Sequence, residues 1–178
     1  NASYLKFLIG REHTPFTVVS SGTWTVVMAN GGDLSRLREE RDMLANVNAF
    51  GSPVPTARYM GGREYEAIAT THELPTIAGL SEVIRAAAMA LPSFAAAGPF
   101  SGRLGKLTND ETLSGTARAA LATVYSASMT ALLIESLGAS GELLIDGPLA
   151  GNPLFGPLLA AFTSNAPVKL HTATTGGA

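Results

Sequence analysis

The chain has 178 residues, 46% of them hydrophobic and 15% charged, which excludes disorder and leaves room for one ordinary domain with a core but not for two large ones. Lys and Arg number 12 against 14 Asp and Glu, a net charge of -2, so no basic field exists to hold a phosphate backbone and no nucleic-acid partner is expected. Cysteine is absent and no charged n-region precedes a short apolar run, so neither a disulfide framework nor a secretory leader is expected and the default setting is reducing and cytoplasmic.

Residues 14–29 are rich in Val, Thr, Phe and Trp around Ser20-Ser21-Gly22, and Asn30-Gly31-Gly32-Asp33 closes the run. This predicts two strands in a hairpin, with Trp24 read as core. Residues 34–43 are charged and fit either a short exposed helix or a solvated edge strand. Pro53 and Pro55 exclude a long helix next, and Gly61-Gly62 then opens a helix through Ile68. Between Glu73 and Thr112, Pro75, Pro92 and Pro99 with several glycines make the least regular third. A helix over residues 81–90, capped by Ser81, is expected inside it. Residues 116–137 predict the strongest helix, apolar on nearly every face and stopped at Gly138, hence buried on more than one side. Residues 142–146 then read as a buried strand, 147–151 as a loop, 152–163 as a helix and 166–170 as a strand, a β-α-β pattern.

The longest charge-free segment, residues 119–134, is interrupted by hydroxyl residues and is too short and polar to span a bilayer, which needs about 20 apolar residues. No membrane partner is expected. Three glycine turns stand at element junctions: Ser20-Ser21-Gly22-Thr23, Met60-Gly61-Gly62 and Asp146-Gly147-Pro148. Such turns can converge backbone N–H groups on an anion, and a helix start adds positive potential. Singly, each reads first as a plain turn and only the three together suggest an anion site, and none matches the P-loop or the dinucleotide fingerprint. His13, His72 and His171 are widely spaced without metal-ligand patterning, so no metal site is expected from this chain and surface histidines are the reading. Glu64 and Glu66 point different ways on a helix and make a poor acid-base pair. Ser20, Ser21 and Ser93 lack a nucleophile elbow.

The run Val18-Val19-Ser20-Ser21-Gly22-Thr23-Trp24 resembles the Ser-Gly-Thr turn of the FGGY carbohydrate kinases, particularly their rhamnulokinase-like and fuculokinase-like members. Residues 144–154 resemble the family's strand, glycine loop and Asn-bearing helix start, residues 59–66 its glycine-initiated helix, and residues 172–178 its Gly-Thr-Ala-x-Gly-Ala segment. Only residues 73–112 match loosely. The resemblance implies an α/β, ribonuclease H-like domain of the actin, hexokinase and Hsp70 ATPase class, a mixed sheet flanked by helices. It implies that residues 1–178 are a single domain, the C-terminal half of a two-domain sugar kinase cut at both ends.

Carried over residue by residue, the resemblance implies that Gly22 and Thr23 meet the β- and γ-phosphates of ATP, that Gly61 or Gly62 faces phosphate, and that Gly147 and Asn152 hold the adenosine. The implied cofactors are ATP and Mg2+. The implied partners are an N-terminal sugar-binding domain and a sugar substrate, and a homodimer is compatible with it. The family's general base, an aspartate, falls in register with Asn1 or the residues before it, so no catalytic residue is assigned and the chain alone is expected to be inactive. Pro148 stands where the family usually has a second glycine. It donates no N–H, and it favours the alternative of a non-catalytic structural or regulatory module of the same fold. A hydrolase or transferase would need a nucleophile and base that these residues do not offer.

Overall fold

The computed structural model describes residues 2–11, 14–164 and 166–171. Its strands are β1 (Phe16–Ser20), β2 (Thr25–Asn30), β3 (Met43–Val47), β4 (Pro53–Tyr59), β5 (Met89–Leu91), β6 (Lys106–Thr108), β7 (Glu142–Asp146) and β8 (Val168–His171). Its helices are α1 (Ala2–Leu8), α2 (Gly61–Ala69), α3 (Ile77–Ala86), α4 (Gly115–Ser136) and α5 (Phe155–Phe162). Six strands form one mixed sheet in the order β3-β4-β2-β1-β7-β8, and β5 and β6 form a separate hairpin. The β1–β2, β2–β4 and β3–β4 pairs are antiparallel, whereas β7 runs parallel to both β1 and β8.

The β-branched run and its period of two dictate the layers. Val19, Val27, Ala57, Tyr59, Leu143 and Ile145 pack on one face with residues of α2, α4 and α5, while Phe16, Val18, Met28 and Leu144 pack on the other with Tyr4, Phe7 and Leu8 of α1. The sheet is therefore flanked by helices on both faces, the α/β ribonuclease H-like architecture expected from the sequence. α4 is the core helix. Ser114 caps it, its hydroxyl accepting from the Ala117 N–H at 3.3 Å, and its small residues Ala119, Ala120, Ala122 and Ala127 are fully buried. With 22 residues it is long and apolar enough to cross a membrane by length and composition, more so than the charge-free segment alone suggested, and 72% of its most apolar window is buried inside the protein.

Several expectations are corrected. Residues 34–42 carry two short, exposed 3-10 helices, Leu34–Arg36 and Glu39–Arg41, rather than one continuous helix, and Met43 begins the edge strand β3. The prolines at 53 and 55 belong to β4, where they pair with β3 and lie before the stretch, Thr56 to Tyr59, that pairs with β2. α3 starts five residues earlier than the Ser81 cap implied. Thr76 caps it instead, accepting from the Gly79 N–H at 3.0 Å, while the Ser81 hydroxyl donates back to the Ile77 carbonyl. α5 begins at Phe155 rather than 152, after a 3-10 turn over Pro148–Gly151. Trp24 is half-buried in the β1–β2 turn rather than in the core, with the Arg58 guanidinium 4.8 Å above its ring.

Strand register then brings distant loops together. Ser20 of β1 is level with Asp146 of β7, so the turn after β1 and the loop after β7 leave the sheet side by side. Thr25 of β2 is level with Tyr59 of β4, which sets the start of α2 beside that same turn.

Candidate functional site

These loop ends enclose a crevice of about 630 Å³. Gly22, Thr23, Gly61, Gly62 and Asn152, five of the residues singled out from the sequence, line it, as do Ser21, Thr25, Arg63, Glu66, Leu74, Pro148, Leu149 and Gly151. Gly147 is not part of the lining. It sits behind the wall, at φ 89° and ψ -166°, with the Ser21 backbone where a side chain would stand. His13 and residues 172–178, the tail that resembles the family, lie outside the described residues. His72 is exposed, and His171 is half-buried with its ring 4.5 Å from that of Phe7.

Ser21 stitches the two glycine loops. Its hydroxyl donates to the Asp146 carbonyl at 2.8 Å and accepts from the Leu149 N–H at 3.0 Å, while its own N–H donates to the same Asp146 carbonyl. The start of α2 is tied to the turn in the same way, the Gly62 N–H donating to the Thr23 carbonyl at 3.2 Å. A side chain at Gly62 would lie 2.6 Å from the Gly22 carbonyl oxygen. Gly61 is equally pressed against Thr25. These two glycines are therefore required by packing, whatever else they do. Gly22 is different: its nearest neighbour to an added side chain is 3.8 Å away, and it has no left-handed φ. Nothing in the fold demands a glycine there, so its bare backbone is left open on the crevice side.

The wall formed by residues 147–152 is more self-contained. Pro148 occupies the first position of the 3-10 turn, where its fixed φ suits the start and its missing N–H is no loss to the turn. The Ala150 and Asn152 N–H groups donate to the Gly147 and Leu149 carbonyls. The Asn152 side chain is buried. Its Nδ2 donates to Thr123 Oγ1 at 2.9 Å and its Oδ1 accepts from the Leu154 and Phe155 N–H groups, fastening the start of α5 to α4. This wall thus presents mostly apolar surface, Pro148 and Leu149, with the exposed Leu74 also on the crevice.

Two buried polar groups escaped sequence reasoning. Thr25 Oγ1 is buried beneath the crevice, covered by Gly61 and beside the Tyr59 hydroxyl. Glu64 is fully buried on the opposite side of α2, its Oε2 accepting from the Tyr125 hydroxyl and from the Phe94 N–H at 3.2 Å. Burial pushes its carboxyl above the usual range, against the lowering effect of those hydrogen bonds. Burial and the adjoining carboxylate also raise Tyr125. No local spacing announces these partners, because the helix face that carries Glu64 is decided by what it packs against. No group of His, Asp and Glu able to hold a metal ion is present among the described residues.

A mixed sheet between helices, with glycine loops converging at one end of its strands, defines an α/β domain of the ribonuclease H-like class. The family described as "Carbohydrate kinase FGGY, C-terminal domain" matches residues 13–178. The chain belongs to that family. No curated protein sequence matches it. Among solved structures it is similar to a carbohydrate kinase from Novosphingobium aromaticivorans, at 29% identity and a TM-score of 0.82 over 93% of this chain and 40% of that one. It shares its fold with xylulose kinases from Bifidobacterium adolescentis (14% identity, TM-score 0.62, 91% of this chain and 35% of that one) and Rhodospirillum rubrum (14%, 0.55, 94% and 37%). The chain therefore spans well under half the length of these kinases.

Proposed function

We propose that this chain supplies the ATP-binding half of a two-domain sugar kinase, which transfers the γ-phosphate of MgATP to a hydroxyl of a ketose or related sugar in the cytoplasm. The observation that carries this reading is the convergence of three separate glycine turns on one crevice. One local feature fits a nucleotide: the open backbone at Gly22. Gly22 and Thr23 would hold the phosphates, with α2 beginning beside them. Leu74, Pro148 and Leu149 would pack against the nucleoside, held in place by Gly147 and Asn152 from behind. The bound nucleotide supplies the transferable phosphoryl group and brings Mg2+ with it. The protein's part is positioning and charge neutralisation, which dominate phosphoryl transfer.

The sugar site and proton acceptor are assigned to an N-terminal domain and to residues outside this chain. The 40% coverage of the similar kinase supports that division. The Ser-Gly-Thr turn supports a rhamnulokinase-like or fuculokinase-like subtype. A panel of ketoses and deoxysugars, assayed for ADP release by the intact protein, tests the reading: sugar-dependent ADP formation supports it, and none with any sugar overturns it. Pro148 and the internally spent amides of its loop favour a second reading, a module of the same fold without nucleotide binding. That reading requires no measurable ATP binding with or without sugar.

A further inference from the structure

α2 turns two faces to two environments. Glu64 and Ile68, four residues apart, are buried in the core, whereas Arg63 and Glu66, three apart, line the crevice. The Arg63 side chain is exposed and has no ion pair or hydrogen bond among the described residues. Most other arginines are engaged: Arg11, Arg58 and Arg118 pair with Glu142, Asp42 and Asp110, and Arg36 and Arg38 donate to backbone carbonyls, while Arg41, whose side chain is likewise unpaired among the described residues, lies away from the crevice. Arg63 is also the one basic side chain among the described residues that line the crevice, where the other charged side chain, Glu66, is negative.

The demand for a cation there follows from the amides. The Gly62 N–H is spent on the Thr23 carbonyl and the Leu149 N–H on the Ser21 hydroxyl, and Pro148 has none. The loops therefore offer fewer free donors than their glycines suggest, and a triphosphate brings several negative charges. We infer that Arg63 is the cation this domain sets against the triphosphate, its guanidinium donating to phosphate oxygens from the α2 wall of the crevice. The planar fork suits phosphate better than a lysine ammonium does. Held on the first turn of a helix that is itself pinned to the Gly22-Thr23 turn, it has a fixed base from which to reach. No bond to Arg63 forms or breaks; its part is charge neutralisation.

The inference rests on the ATP-binding reading, and the test separates the two. ATP, ADP and adenosine are titrated calorimetrically into the intact wild-type protein and into Arg63→Gln and Arg63→Lys, both of which alter an exposed, unpartnered side chain. Arg63→Gln is expected to weaken ATP binding about tenfold or more, the scale of a lost charged hydrogen bond, and to leave adenosine binding unchanged. Arg63→Lys is expected to recover part of the loss. Wild-type ATP affinity in Arg63→Gln, or equal losses for ATP and adenosine, overturns the role of Arg63 while leaving ATP binding intact. A wild-type protein that binds no ATP overturns both.

Discussion

The glycines around the crevice divide into two groups. Gly61, Gly62 and Gly147 are glycines because another part of the protein occupies the space of their side chains: Thr25, the Gly22 carbonyl and the Ser21 backbone. Gly22 and Gly151 have no such neighbour, Gly151 having nothing within 4 Å, and neither has a left-handed φ. The first group lets strands, loops and α2 approach closely enough to form a crevice. The second leaves its surface bare. Glycine in a loop motif is therefore not one signal but two, and only the second points outward to a ligand.

The comparison breaks most sharply at Gly147. Gly147→Ala forces a side chain into a backbone conformation suited to glycine and onto Ser21, and should cost about 3 kcal/mol or more of stability in chemical denaturation. A loss below about 1 kcal/mol would show that the loop can move aside. Thr23→Ala is expected to lower turnover about tenfold or more while changing sugar affinity less, since its hydroxyl is assigned to the phosphates. An unchanged turnover number contradicts that assignment. Gly22→Ala sharpens the contrast: stability should stay within about 0.5 kcal/mol of wild type, while ATP affinity falls severalfold because a methyl group intrudes on the bare surface. Loss of stability with ATP affinity intact would reverse the two groups.

Ser21→Ala removes the two hydroxyl bonds between the glycine loops, leaving the backbone N–H bond to the Asp146 carbonyl, and should cost about 1–2 kcal/mol, with a smaller, severalfold weakening of nucleotide. The smallest effect is a slope. Glu64 binds its proton more tightly folded than unfolded, so wild type loses stability as pH climbs from the ordinary carboxylate range through the raised folded value. Glu64→Gln removes that loss, and its stability relative to wild type should rise over this window and stay flat below it. A difference independent of pH would show that Glu64 does not titrate abnormally.

The parts of the fold legible in the sequence are those whose pattern and burial coincide. The Val and Thr run of β1 and β2, the Ala and Leu run of α4, and the β7 strand with α5 bury the side chains their pattern marks, whereas β8 on the sheet edge does not, its Leu170 being exposed. β3 is illegible because Ala45, Asn46 and Val47 are all exposed on an edge and show no alternation. α3 starts at a misread cap because Ile77 and Ile84, 72% and 71% exposed, blur its amphipathic stripe. β5 and β6 are three residues each, too short to carry a period. At the crevice, the glycine turns and Asn152 were visible as local motifs. The role of Ser21 as the tie between the loops is not legible in the sequence, because its partner Leu149 lies 128 residues away and only the level ends of β1 and β7 bring the two together.

The most direct measurement is a crystal structure of the intact protein with ADP or a non-hydrolysable ATP analogue. The account predicts phosphates against Gly22 and Thr23 and the base beside Leu74, Pro148 and Leu149. A nucleotide bound elsewhere, with this crevice left vacant at saturating concentration, would contradict it.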